Sequence, residues 1–340
     1  MRLSTFVLWA FALVAFLATG ALSIGLGTVS IEPSEVSGVL FHRIFPGFLA
    51  DPPEQMTSAI VLELRLPRFL VAFCVGAGLA LVGGMLQTTT RNDLADPFLF
   101  GISSGAAAGA VFAISWAPNF FGPLNVQIFA FLGALTSSAV VLGFALRSTL
   151  AGSQQLILVG LAVSFVFSSI TSYLVFSGDQ RAEQSILFWT FGGLGLSRWN
   201  NFPLVAAATF CLALYALLSF RKLDVYFLGD DVAQSLGVDS RVVRIEVLLV
   251  SSLVTASFVS ITGVVGFVGL MAPHIARFLF GPRHKILLAG SFFVGGMILS
   301  VADVCSRAIL PSRELPISVI TSFFGAIFVL FLVLRPERFR

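Results

Sequence analysis

Very few ionisable residues lie inside the long apolar stretches of this sequence, and these are the side chains that could do chemistry there. Asp303 and Arg307 are four residues apart on a predicted helix, so both face one side and can form an ion pair. His274 lies alone in another apolar stretch, where we expect a hydrogen-bonded structural histidine. A proton or ion relay needs several such groups in series. One pair and one histidine argue against a relay.

Recognisable catalytic and metal-binding motifs are missing from the sequence. It contains no GxxxxGK[ST] phosphate-binding loop, no serine, histidine and acid set, and no metal-ligand spacing. Cys74, Cys211 and Cys305 are far apart and lie in apolar stretches, which indicates packing residues rather than a disulfide or metal site. We therefore predict no catalytic residue, no metal and no cofactor bound by this chain, and any ATP-driven step requires a separate chain.

The composition is that of a membrane protein. The 340 residues are 57% hydrophobic and 11% charged, whereas roughly 25% charged residues is usual for soluble domains. The net charge of +3 is spread along the chain, so it does not form the concentrated basic face of a nucleic-acid-binding protein. The apolar stretches are long and continuous, which favours membrane-spanning helices over the short alternating strands of a barrel.

The apolar stretches predict a single all-α polytopic domain, residues 1–340, with ten membrane spans. A crossing takes about 20 apolar helical residues. The predicted spans are 5–27, 66–90, 98–117, a fourth that ends at 146, 154–176, 202–220, 242–261, 263–280, 286–310 and 316–334. The segment 178–201 carries charges and two tryptophans, which suit a membrane surface better than a span.

Basic residues predict the orientation of these spans. With ten spans, thirteen of the 20 lysines and arginines fall on the side of the two termini and seven on the other side. Basic residues accumulate in cytoplasmic loops. Both termini are therefore predicted to be cytoplasmic.

The predicted cytoplasmic segment 221–244 contains a short helical pattern of its own. Asp230 and Asp231 suit a helix N-terminus, and Gly237 suits a left-handed stop. Val232 and Leu236 are expected to share one face with Ala233. Such a helix could be a dock for a soluble partner or simply a solvated loop helix.

Seven strings, in order from Leu64 onward, resemble the membrane-spanning subunits of ABC importers for iron–siderophore complexes, haem and cobalamin, the type II importer permeases. Asp93 departs from this resemblance, because the family usually has a proline there. The strings are LRLPR (64–68), RNDLADP (91–97), GISSG (101–105), LGDDVAQSLGV (228–238), GFVGLMAPHIAR (266–277), Ala302 and Asp303 with Arg307, and ELP (314–316).

The resemblance implies the fold of a type II ABC importer permease and a set of partners. Two permease subunits, identical or closely similar, would surround a central pathway in the lipid membrane. A cytoplasmic ABC ATPase dimer would use ATP and Mg²⁺, and an external substrate-binding protein would deliver the cargo. No nucleic-acid partner is expected.

The resemblance also implies roles for particular residues. The ATPase would dock on a coupling helix, Arg65, Arg68 and Arg307 would receive acidic residues of the binding protein, and small residues of spans five and ten would line the pathway. Plain membrane anchoring of the arginines and helix packing of the small residues are the alternatives. The coupling residues are Gly229, Asp230, Asp231, Val232, Ala233, Ser235, Leu236 and Gly237, and the pathway residues are Gly160, Ser164, Ser168, Ser172, Ser318, Ser322 and Gly325.

The resemblance thus implies a non-catalytic permease subunit in a bacterial inner membrane that passes a bulky metal chelate inward. A ferric siderophore is the favoured cargo, followed by haem and cobalamin. A secondary transporter driven by an ion gradient and a membrane-embedded enzyme are the competing classes.

Overall fold

The computed structural model describes residues 2–27, 31–45, 54–147, 153–310 and 313–334. This part of the chain is helical and contains no strand. The helices are α1 Arg2–Gly25, α2 Pro33–Ile44, α3 Gln55–Ala59, α4 Leu66–Thr90, α5 Ile102–Ser115, α6 Asn125–Arg147, α7 Ser153–Ser177, α8 Glu183–Thr190, α9 Phe202–Phe227, α10 Asp230–Ser235, α11 Ser240–Thr262, α12 Val268–Phe280, α13 His284–Ala308 and α14 Ile317–Leu334.

Ten of these helices coincide with the ten predicted spans. Among the described residues, seven helical segments are long and apolar enough to cross a membrane, and the part Trp9–Gly25 of α1, together with α5 and α12, adds shorter apolar helices. The segment 178–201 contains only the eight-residue helix α8 and a short 3₁₀ turn, as its surface character predicted. The all-α polytopic fold is therefore confirmed.

Two of the helix boundaries that differ from the prediction have local reasons. Helix α9 continues to Phe227, seven residues beyond the predicted end of span six, because Arg221, Lys222 and Leu223 are good helix formers. Helix α5 begins only at Ile102, since Pro97–Phe100 forms a 3₁₀ turn and Gly101 follows with a left-handed φ of 75°. The predicted cytoplasmic loop is thus shorter than its charges suggested.

Helix α4 lies at the centre of the bundle. In its most apolar window 89% of the residues are buried, against 17% in the α7 window and 22% in the α14 window. Helices α9, α11, α12 and α13 all pack on α4. Movement of α4 would therefore displace most of the helices in the bundle. Helices α7 and α14, in contrast, present largely uncovered apolar faces.

The crossing of α4 and α12 requires a glycine at position 83. A Cβ atom there would collide with the carbonyl oxygen of Gly269, which is backbone and cannot turn aside. Gly143 on α6 is also helical, but a Cβ atom there would meet nothing within 4 Å.

These two glycines give a matched pair of predictions. Gly83→Ala should destabilise the fold by about 1–3 kcal/mol, because it overpacks a closed helix crossing. Gly143→Ala should be neutral or stabilising by about 0.4–1 kcal/mol, because it only restricts the unfolded chain. Unfolding of both variants in detergent measures the difference, and equal stabilities would contradict the assigned crossing.

Candidate functional site

A widened helical turn carries two arginines to one end of the bundle, here called the arginine end. Ile60–Arg65 forms a π-helical turn, and Pro67 follows in the first turn of α4. Proline cannot donate a hydrogen bond to a carbonyl one turn earlier, and such irregular turns often accompany functional sites. Arg65 and Arg68 both line a cavity of about 280 Å³ at this end.

Arg68 connects three parts of the chain through two carboxylates. Its Nε atom donates to Asp303 Oδ1 at 2.9 Å, while Nη1 and Nη2 donate to the two Glu314 oxygens, each at 2.9 Å. Arg307 Nη2 lies 3.0 Å from Asp303 Oδ2, which confirms the predicted i,i+4 ion pair. Asp303 is completely buried, so a single carboxylate that has no contact with solvent pairs with two arginines.

The other guanidinium contacts hold the end of α1. Arg65 Nη1 donates to the carbonyl oxygens of Ile24 and Gly25 at 2.6 and 2.8 Å. Arg307 donates to the carbonyl oxygens of Leu26 and Ser23 at 2.9 and 3.0 Å. Carbonyls at a helix C-terminus lack intrahelical donors and carry partial negative charge. Arg65 and Arg307 therefore cap α1.

The three arginines predicted to dock a binding protein are consequently directed into the protein. Arg65, Arg68 and Arg307 are only 7%, 8% and 6% exposed. Arg198 lines the same cavity but is exposed, and its Nη1 donates to the carbonyl oxygens of Gly195 and Ser197. Sequence reasoning did not assign Arg198 to this site, because no motif distinguishes it from other surface arginines.

The opposite end of the bundle, here called the α10 end, carries the predicted coupling helix. Helix α10 has Asp230 and Asp231 in its first turn, and it lies between Gly229 at φ 117° and Gly237 at φ 79°. Both φ values are left-handed and favour glycine. The predicted N-terminus and stop are therefore confirmed.

Two apolar side chains are exposed at α10, among the exposed polar residues Asp231, Gln234 and Ser235. Val232 and Leu236 are 42% and 61% exposed, and Phe227 and Leu228, just before α10, are also exposed. Ala233 is completely buried, so the expectation that it shares the face of Val232 and Leu236 was wrong. One residue is a turn of about 100° on a helix, which points Ala233 toward the bundle.

Helix α10 is tied directly to the end of α4. Arg91, which ends α4 in a left-handed conformation, pairs with Asp230 at 2.7 Å and lies over the Tyr226 ring at 5.1 Å. The Tyr226 hydroxyl donates to the Thr89 carbonyl oxygen at 2.8 Å and is contacted by Arg244 at 3.2 Å. A displacement of α10 would therefore act on the central helix.

Further polar contacts join α4 to its neighbours at the α10 end. Asp93 pairs with Arg277 of α12 at 2.9 Å. His284 at the start of α13 lies 2.7 Å from both Thr88 and Asp224. These contacts bring α9, α12 and α13 into the same connected layer.

A cavity of about 400 Å³ lies between α14 and the segments 94–99 and 264–270. It is mainly apolar, and Ser318, Ser322 and Asp96 contribute its polar groups. Asp96 lies outside the spanning helices, and its Oδ1 accepts from the Phe98 N–H at 3.0 Å. Burial raises the pKa of the Asp96 carboxyl to about 6. Two of the predicted pathway residues thus line one cavity.

The remaining predicted pathway residues have different surroundings. Ser168 and Ser172 are exposed on α7, and Ser164 Oγ donates to the Gly160 carbonyl oxygen at 2.9 Å. A Cβ atom at Gly160 would collide with the Leu99 carbonyl, and one at Gly325 with the Phe267 ring. Both glycines are therefore close helix contacts within this chain rather than open surface.

His274 is buried, but neither of its ring nitrogens has a hydrogen-bond partner among the described residues. The expectation of a hydrogen-bonded histidine was wrong. Its ring lies 6.1 Å from the Phe328 ring of α14, so the contact seen here is aromatic. Within the described residues, no group of three or more His, Cys, Asp or Glu side chains could hold a metal ion.

Comparison with known proteins gives consistent matches over most of the chain. The profile of the FecCD transport family matches residues 14–335. The cobalamin import system permease protein BtuC of Halobacterium salinarum is 38% identical over 283 residues, 82% of this chain and 74% of that protein. The hemin transport system permease protein HmuU of Yersinia pestis is 33% identical, over 83% of this chain and 85% of that protein.

A solved structure supports the same assignment. A putative metal-chelate type ABC transporter in an inward-facing conformation is 30% identical in sequence. The match has a TM-score of 0.83 and covers 97% of this chain and 99% of that one. Sequence and fold therefore agree along nearly the whole length, and the chain belongs to the FecCD transport family.

Proposed function

We propose that this chain is the permease subunit of an ABC importer that passes a bulky metal chelate into the cell. The observation that carries the proposal is α10, a short helix with exposed Val232 and Leu236 that is joined by Arg91 to the central helix α4. An apolar helix face is a typical dock for a protein groove. Because the sequence has no phosphate-binding loop, a separate ABC ATPase dimer supplies ATP hydrolysis, with Mg²⁺ as its cofactor.

The proposed orientation places α10 and both termini in the cytoplasm and the arginine end outside, in a bacterial inner membrane. The bias of basic residues toward the side of the termini supports it. A reporter fused at the C-terminus that is active only outside the cytoplasm would contradict this orientation.

A second permease subunit completes the proposed pathway. Apolar side chains cover the outward faces of α7 and α14, among them Phe165, Val166, Phe323 and Phe324, which are all more than half exposed. Exposed small residues on α7 and the cavity beside Ser318 and Ser322 would then face the partner subunit across the pathway. A homodimer and a closely similar heterodimer both fit this arrangement.

We propose a ferric siderophore as the cargo, with haem and cobalamin as the alternatives. The relatives named above are described as cobalamin and hemin permeases, and another is described as a probable iron chelatin permease of Helicobacter pylori. Vesicles that contain the assembled importer should accumulate labelled ferric siderophore in preference to haem or cobalamin. Preferential uptake of haem or cobalamin would reassign the cargo.

A docking prediction follows from the exposure of Arg198. Arg198→Ala should slow association of the substrate-binding protein several-fold at low salt, because rim charges control association rate and salt dependence. Arg181→Ala serves as the control. Arg181 is an exposed cation in the same segment 178–201, but it does not line the cavity. Surface plasmon resonance at two salt concentrations measures both. Equal effects of the two substitutions would contradict docking at Arg198.

A further inference from the structure

A groove on the side of the bundle shares no lining residue with the cavity beside Ser318 and Ser322 and none with α10. Helices α9 and α13 form its walls, and Leu81 of α4 forms its floor. It encloses about 250 Å³. Its lining is made of small and large apolar side chains, with His284 and Lys285 at one end.

The groove is apolar along most of its length. Small side chains lie between the larger ones and leave space there. Ala213 and Ala216 on α9 and Ala289 on α13 are among the wall residues, and Leu81 at the base is only 2% exposed. Only His284 and Lys285, at the first turn of α13, bring polar atoms to one end. In a membrane, such a groove can hold an acyl chain of a neighbouring lipid.

The polar end of the groove carries two cations without an acidic partner. Arg221 and Lys285 approach the same Phe220 ring, at 5.7 and 5.9 Å from its centre. In the described part of the chain, no carboxylate lies within ion-pair distance of either side chain. The nearby acids are already engaged, since Glu246 pairs with Lys222 and Asp224 with His284.

The geometry points to a binding site for an anionic phospholipid, with one acyl chain in the groove and the phosphate between Arg221 and Lys285. Long basic side chains at a helix end reach the level of lipid headgroups. Basic pockets between spanning helices bind anionic headgroups, at about 1 kcal/mol per Lys or Arg, which is about fivefold in affinity. The cytoplasmic leaflet as the source of the lipid depends on the proposed orientation, whereas the binding itself does not.

Native mass spectrometry of the purified full-length chain tests this site. Phosphatidylglycerol should bind at least about fivefold more tightly than phosphatidylcholine with the same acyl chains. Arg221→Gln combined with Lys285→Gln should weaken phosphatidylglycerol binding about 25-fold and remove the preference. Arg147→Gln, a single exposed cation at the end of α6, should leave the binding unchanged.

A second pair of variants tests the acyl-chain part of the site. Ala213→Phe should fill the groove and reduce binding of both lipids at least about tenfold, whereas Ala207→Phe, on α9 but outside the groove, should not. Each variant must keep the wild-type unfolding temperature. If the double variant unfolds at a lower temperature, the single variant Lys285→Gln replaces it, with an expected loss of about fivefold in affinity for phosphatidylglycerol.

Two outcomes would overturn the site. One is equal affinity of the wild-type chain for the two lipids. The other is competition by soluble glycerol phosphate at lipid-like concentrations, which would indicate a free phosphate site without an acyl chain. Neither readout involves transport, so failure of the lipid site and failure of the proposed importer function are distinguishable.

Discussion

Leu236→Asp is expected to abolish ATP-driven uptake while the permease remains folded. Leu236 is 61% exposed, so an aspartate there costs little in the isolated chain. In the assembled importer the same position would enter a cleft of the ATPase, where loss of an apolar anchor typically costs about 2 kcal/mol or more, roughly 30-fold in affinity. Pull-down of the ATPase and uptake by vesicles measure the two effects.

The control for this prediction is the conservative variant Leu236→Met. It keeps an apolar side chain of similar volume, so ATPase binding and uptake should stay near wild type. Wild-type uptake by Leu236→Asp would contradict a docking role for α10.

A related variant separates docking from transmission. Arg91→Ala removes the 2.7 Å contact to Asp230 and leaves the exposed side chains of Val232 and Leu236 unchanged. The ATPase should therefore still bind, while the number of ATP molecules hydrolysed per chelate transported should rise. Unchanged stoichiometry would contradict the transmission through Arg91. Charge reversal at Asp231 or bulk at Gly237 should also uncouple ATP hydrolysis from uptake, because both alter α10.

Asp303→Asn is expected to destabilise the protein by about 3–5 kcal/mol, the range found when one partner of a buried ion pair is removed. The substitution removes the charge of the carboxylate that pairs with both Arg68 and Arg307 and leaves both guanidinium groups buried. The result should be a large fall in the unfolding temperature or in the yield of folded protein. Fluorescence-detected size-exclusion chromatography after heating measures it.

Glu314→Gln is the matched control for the buried carboxylate. Glu314 also pairs with Arg68, but its side chain is 42% exposed, and an ion pair in contact with water contributes only about 0–1 kcal/mol. Equal destabilisation by Asp303→Asn and Glu314→Gln would contradict the structural role assigned to Asp303.

The spans were predictable because a long apolar stretch in a bilayer is stable only as a helix. Residue spacing within a helix was equally informative. Asp303 and Arg307 form the ion pair that their i,i+4 spacing indicates, and Gly237 ends α10 with a left-handed φ. Each of these features depends on residues within one or two helical turns. Such local rules can be read from one sequence.

The features that were missed depend on contacts between distant segments. Arg68 meets Asp303 and Glu314, residues 235 and 246 positions away, so its burial had no local signal. Gly160 and Gly325 look like weakly polar pathway positions, yet each meets a neighbour from another segment. A single sequence cannot distinguish a glycine that lines a path from one that allows a close helix contact.

The most direct test is transport by sealed vesicles. They contain either the permease alone or the permease with its ABC ATPase and an external binding protein, and they show whether transport depends on the ATPase acting through α10. Accumulation of a labelled chelate against its gradient is predicted only when the ATPase and ATP are present, and Leu236→Asp should eliminate it. Accumulation by vesicles that contain this chain alone, driven by an ion gradient, would contradict a passive permease.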